Sequence, residues 1–167
     1  MKTNDQSKPK TRFHHVGIVV KNIHDAINKY AAALGVDGNA IIIEEMSYMT
    51  GKGEAETFKY AFLPLADGEN NFIELVEPIT PGPTARYLEK HGEGLFHLAF
   101  ESSDISRTIE NFEKNGIPLA GATPTKEVLS VFFHPKSAHG VLIQVIRQGL
   151  FDSAGRISEN VVDKESA

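Results

Sequence analysis

A chain of 167 residues, 41% hydrophobic and 23% charged, suits one ordinary domain or two small half-domains sharing a core. The absence of cysteine excludes a disulfide framework, a zinc–thiolate site, an iron–sulfur cluster and a cysteine nucleophile. A net charge of −5, no basic cluster denser than Lys8-Pro9-Lys10 and no tryptophan argue against nucleic acid as a partner, and no apolar run reaches the ~20 residues of a membrane span.

Residues 1–11 read as a polar N-terminal tail without the apolar core of a signal peptide, so a cytoplasmic location is expected. The first apolar run, Phe13-His14-His15-Val16-Gly17-Ile18-Val19-Val20, reads as a strand. Asn22 can cap the helix that follows, with Asp25 in the place of a capping-box acid. Ile23, Ala26, Ile27, Tyr30, Ala31 and Leu34 form its apolar stripe, and Gly35 ends it. Strands are expected over 40–46, 58–65 and 71–77, the last two joined by the turn-like residues 66–70. A proline-rich stretch, 78–83, and a short helix over 84–90 lead to a second copy of the pattern.

That copy opens on Leu95-Phe96-His97-Leu98-Ala99-Phe100-Glu101. Ser103 or Asp104 caps a helix with the stripe Ile105, Thr108, Ile109 and Phe112, ended by Gly116. Strands are expected over 118–120, 128–133 and 141–146. His15 and His97 are 82 residues apart, and Gly35 and Gly116 are 81 apart, so the copies keep step. The reading is α+β: two pseudo-symmetric βαβββ modules, 12–80 and 94–148, expected to pair and bury or share the exposed face of their sheets. Residues 81–93 are the linker with its short helix, and 149–167 are a C-terminal tail in which Gly149-Leu150-Phe151 can pack.

The repeat pairs His15 with His97 on the first strand and Glu74 with Gln144 in the middle of the last. Strand alternation turns Glu74 away from Ile73 and Leu75, and a polar group centred in an apolar strand must be paired or line a cavity. Taken singly, each residue has a plainer reading: a hydrogen-bonded strand histidine, a buried acid paired to a base, a core glutamine. Four polar groups at two symmetry-related positions are harder to explain that way. Two imidazoles, a carboxylate and an amide oxygen make a mixed shell for one divalent ion, such as cobalt, zinc, nickel, manganese or iron. His14 is expected to face the helix or solvent. His24, His91, His134 and His139 fall on a helix start or in loops and are not read as site residues.

These segments, with Phe72-Ile73-Glu74-Leu75-Val76-Glu77-Pro78 and His134-Pro135-Lys136 to Gly140-Val141-Leu142-Ile143-Gln144, resemble the vicinal oxygen chelate superfamily over about residues 12 to 148. The closest likeness is to methylmalonyl-CoA epimerases, with glyoxalase I next. The resemblance implies a curved mixed sheet around a metal cleft, a small carbonyl or acyl-CoA substrate, an isomerase or lyase activity through a metal-stabilised enolate, and a homodimer. In the epimerases the ligand positions carry His, Gln, His and Glu in chain order; here they read His15, Glu74, His97 and Gln144. The family's second acid on the third strand aligns with Lys59 when Pro64 is matched, leaving Glu74 and Lys59 as the catalytic candidates. The resemblance also admits a glyoxalase-like lyase, a ring-cleaving dioxygenase and a metal-free binding protein of the antibiotic-sequestering kind.

Overall fold

The computed structural model describes residues 9–49, 53, 55–65, 71–121 and 129–158. In chain order these form β1 (Thr11–Val19), α1 (Ile23–Leu34), β2 (Ile43–Met49), β3 (Ala55–Pro64), β4 (Phe72–Pro78), α2 (Pro83–His91), β5 (Gly94–Ser102), α3 (Ile105–Lys114), β6 (Ser130–Phe133) and β7 (Ile143–Arg147). One curled mixed sheet runs β2-β3-β4-β1-β5-β7-β6. Its centre is the antiparallel pair β1/β5, one strand from each copy. Outward from that seam the halves match: β1 pairs β4 in parallel as β5 pairs β7, and β3/β4 is antiparallel as is β6/β7. The sheet therefore has a local twofold across β1/β5, the geometric form of the repeat.

Each half covers its outer face with a helix for the reason the stripe suggests. Asn22 accepts from the Asp25 amide at 3.0 Å, and Gly35 closes α1 with φ 69°. Ile23, Ala26, Ile27 and Ala31 then pack on Ala61, Leu63 and Leu75 of the sheet. Leu34 is the exception: at 47% exposure, the last turn has rotated it out of the stripe. In the second half Asp104 caps α3 through the Arg107 amide, and Ile105 and Ile109 meet Val131, Phe133 and Val145.

Several boundaries differ from expectation. β2 begins at Ile43 because 38–40 form a single 3₁₀ turn, capped by Asp37 accepting from the Asn39 amide. The expected strand over 118–120 is one bridge, Leu119 with Phe133, flanked by Ala120 N–H to Phe132 O and His134 N–H to Pro118 O. Pro118 has no amide to extend it. β6 is described from Ser130 onward, so the expected start at Val128, like the turn over 66–70, lies outside the described residues.

The expected C-terminal tail is ordered over its first ten residues. Gly149 N–H donates to Glu101, which is also bonded by Arg12, and Ser158 N–H returns to Leu150 O. Phe151 and Ile157 form a bridge, and Leu150 is buried beside Ile146. This turn reaches the inner face of the first module: the Phe151 ring lies 4.9 Å from that of Phe62, tilted by 55°, and meets Tyr60 edge-on at 6.3 Å. Gly155 approaches so closely that a Cβ there would stand 2.4 Å from Phe62 Cβ.

Candidate metal centre

Regular alternation would send His14 and His15 to opposite faces. The pairing of Phe13 with Phe100 and of His15 with Ala99 leaves His14 as an extra residue, a β-bulge. Both rings consequently turn inward. His14 is 2% exposed and His15 1%, their rings lie 5.0 Å apart at 78°, and both meet Phe62. This corrects the expectation that His14 faces the helix or solvent. A second register shift stands at the equivalent place on β5, where Gly17 pairs with His97 and Ile18 with Leu95, so Phe96 is the extra residue. Its ring stands at 78° to that of His97, 5.4 Å away.

Two rows of side chains cross the seam on this inner face. In one, Gly17 on β1 lies in register between Glu74 on β4 and His97 on β5. In the other, Ala99 on β5 lies between His15 on β1 and Gln144 on β7. The middle residue of each row is small, which leaves room for the outer ones to converge. At Gly17 that room is fully used: a Cβ would stand 2.1 Å from Cε1 and 2.4 Å from Nδ1 of His97. Sequence reasoning passed over Gly17, Ala99 and His14. The signal was available, because each ligand histidine is followed two residues later by a small residue and preceded by a ring.

The convergence is tight. His15 Nε2 and His97 Nε2 are 3.0 Å apart, and Glu74 Oε2 is 3.3 Å from the first and 3.2 Å from the second. Gln144 donates from its amide nitrogen to Ser130 Oγ at 2.9 Å. Its Oε1, like Nδ1 of His97, is buried with no hydrogen-bond partner among the described residues. Lys59 is not brought to this cluster. It pairs across the sheet with Glu77, 3.5 Å away, on the face covered by α1, where Glu77 also accepts from the Ile23 amide. Counting by twos along β3, it is Phe58, Tyr60 and Phe62 that share the face of Glu74; Tyr60 donates from its hydroxyl to Glu44 at 2.6 Å.

Burial governs the charge states. It would raise the Glu74 carboxyl, but His15 and then His97 outweigh it and hold the group well below the usual carboxylate range. Glu74 stays ionised. Burial lowers His15, an effect that Glu74 only partly opposes. His14 is pushed down to about 4, chiefly by burial and secondarily by His15. A buried, ionised carboxylate beside two imidazoles is a donor set for a cation. Metal–ligand bonds of about 2.0–2.2 Å place neighbouring donors roughly 3 Å apart, and the observed triangle has that size. His15, Glu74 and His97 fit a divalent ion, and the Gln144 side chain lies beside His15.

The chain belongs to the Glyoxalase/Bleomycin resistance protein/Dioxygenase superfamily, whose model matches residues 14–133, and the curled sheet is the fold of that superfamily. The chain is 28% identical over 138 residues to the uncharacterized protein YqjC of Bacillus subtilis, covering 80% of this chain and 90% of that one. It is 26% identical over 141 residues to the mitochondrial methylmalonyl-CoA epimerase of Dictyostelium discoideum, covering 80% and 76%. Among solved structures, the methylmalonyl-CoA epimerase of Mycobacterium tuberculosis superposes with a TM-score of 0.61 at 27% identity, covering 81% and 86%. No helix among the described residues is long and apolar enough to cross a membrane.

Proposed function

We propose that this protein is a metal-dependent isomerase or lyase of the vicinal oxygen chelate type, acting on a small carbonyl compound or acyl thioester, with epimerisation of a methylmalonyl-CoA-like substrate its most concrete form. The observation that carries this is the meeting of His15 Nε2, His97 Nε2 and Glu74 Oε2 within 3.3 Å of one another. Epimerase relatives at 26% and 27% identity support the choice of reaction class.

A bound divalent cation supplies Lewis-acid polarisation, which makes the proton α to a coordinated carbonyl more acidic. The chain's own residues do the rest. His15 and His97 would each offer a ring nitrogen, Glu74 would supply the ionic ligand, and Gln144, whose side chain lies beside His15, would be the fourth donor. Glu74 is also a candidate proton acceptor, although the neighbours that keep it ionised make it a weak one. Glu44, accepting from the Tyr60 hydroxyl on the same face, is the second carboxylate suited to that task. Lys59, on the far face, is left out of the reading. A homodimer in the cytoplasm completes it; Met49 and Leu95, 65% and 59% exposed, are apolar surface that a partner would cover.

The test is elemental analysis of the purified protein, together with deuterium uptake from solvent at the α-carbon of methylmalonyl-CoA in the presence of cobalt or zinc. Stoichiometric metal and catalysed exchange are expected. A protein that holds no metal and catalyses no exchange is a binding member of the family instead.

A further inference from the structure

The two ligand histidines are not equivalent behind the site. His97 has no partner for Nδ1 among the described residues, whereas His15 Nδ1 lies 2.7 Å from Nδ1 of His14. Two ring nitrogens at that distance share one proton. If it sat on His14, His15 would have to carry its own proton on Nε2, facing Glu74 and His97, and would have no lone pair to offer there. If it sits on His15 Nδ1, the lone pair points into the cluster. A neutral imidazole that ligates through one nitrogen almost always donates from the other, and that outer partner fixes both tautomer and ring angle.

We infer that His14 is a positioning residue for the metal centre, accepting at Nδ1 from His15 Nδ1–H and so locking His15 with its Nε2 bare. The bulge is what makes this possible, since it places two consecutive strand residues on one face. Phe62, Phe72 and Phe151 surround the His14 ring and hold its plane. At the equivalent position of the second module Phe96 cannot accept, so behind the site the His97 ring is held by packing, against Gly17, Phe96 and Phe132. The consequence is an ordered pair. With His15 committed at Nδ1, the proton between the facing nitrogens belongs to His97, whose Nε2 lies 3.0 Å from His15 Nε2 and 3.2 Å from Glu74 Oε2 and is the one left to donate to the carboxylate. The metal-free protein thus holds its two ligand histidines in opposite tautomers.

This rests on the metal reading given above for its purpose, and its test separates the two. Long-range ¹H–¹⁵N spectra of the metal-free protein distinguish protonated from bare ring nitrogens. His15 as Nδ1–H with His97 as Nε2–H is expected, and His15 as Nε2–H overturns the inference. Zinc and cobalt affinities, by competition with a chromophoric chelator, supply the second readout. His14→Phe, which copies the ring at position 96, should lower affinity about 10- to 100-fold, the usual cost of losing an outer-shell partner. His14→Asn, which keeps an acceptor oxygen, should stay within a few-fold of wild type. Wild-type affinity in H14F refutes the positioning role. If H14F folds poorly, the His15 tautomer in wild type and H14N decides alone. If the wild-type protein binds neither metal, the proposed function fails while the tautomer spectrum still settles the role of His14.

Discussion

Adding one carbon at Gly17 is expected to disable the proposed metal centre from beneath. The Cβ of Gly17→Ala would lie 2.1 Å from Cε1, 2.4 Å from Nδ1 and 2.6 Å from Nε2 of His97. Carbon atoms settle no closer than about 3.5 Å, so the imidazole must retreat by more than about 1 Å. Backbone on one side and the ring of Phe132, 5.7 Å away at 90°, on the other limit where it can go. Metal–ligand distances tolerate about ±0.2 Å, so a shift of that size removes His97 from the shell. We expect zinc or cobalt affinity to fall at least about 100-fold, near 2.7 kcal/mol, with about 1–3 kcal/mol of overpacking cost to the fold. Chelator competition measures the first and urea denaturation the second. Gly38→Ala is the control: its Cβ would first meet Ala31 Cβ at 3.3 Å, far from the centre, and metal affinity should not change. G17A binding metal within threefold of wild type would show that the ring does not depend on the bare backbone.

Acid should unfold the metal-free protein early. His14 is held down at about 4, so the unfolded chain, with a histidine near 6.5, binds the extra proton between those values and stability falls with pH. From pH 7 to 5 the loss from this one residue is about 2 kcal/mol, read as a drop in the urea midpoint under chelator; a flat midpoint would contradict it. Glu56→Ala should cost about 3 kcal/mol. The buried Glu56 carboxylate accepts from the Thr84 and Ala85 amides at the start of α2 and from the Tyr48 hydroxyl, and its loss strands all three, which equilibrium denaturation will detect. Phe151→Ala should cost about 2 kcal/mol and shift the His14 ring resonances, since that phenyl packs on His14, Tyr60 and Phe62. Unchanged His14 resonances would mean the C-terminal turn does not sit on the inner face in solution.

What could be read from the sequence was whatever repeats. The caps at Asn22 and Asp104, the helical stripes and the placing of His15 and His97 on the first strands and of Glu74 and Gln144 on the last depend on local pattern and order, and these appear in the fold. Lys59 was misplaced because matching on Pro64 says nothing about which face a residue takes. The register of β3 against β4, Phe62 opposite Glu74, decides that, and register is a tertiary property. His14 was misread for a related reason: a bulge leaves no mark in the amino-acid types, and one inserted residue overturns alternation. The turn over 149–158 lay past the last repeat, where only Leu150 and Phe151 hinted at packing.

A site built on a half-turn axis would ordinarily be indifferent to which end of a bidentate guest went where. Here the anion lies on the β4 side and the neutral amide on the β7 side, and Phe151 lays its ring on Phe62 and Tyr60 of the first half. On the proposed reading of the site, direction would thereby be imposed on a ligand with two unlike oxygens. Exchanging Glu74 and Gln144 would reverse that electrostatic preference while leaving the aromatic wall in place, setting charge and shape against each other.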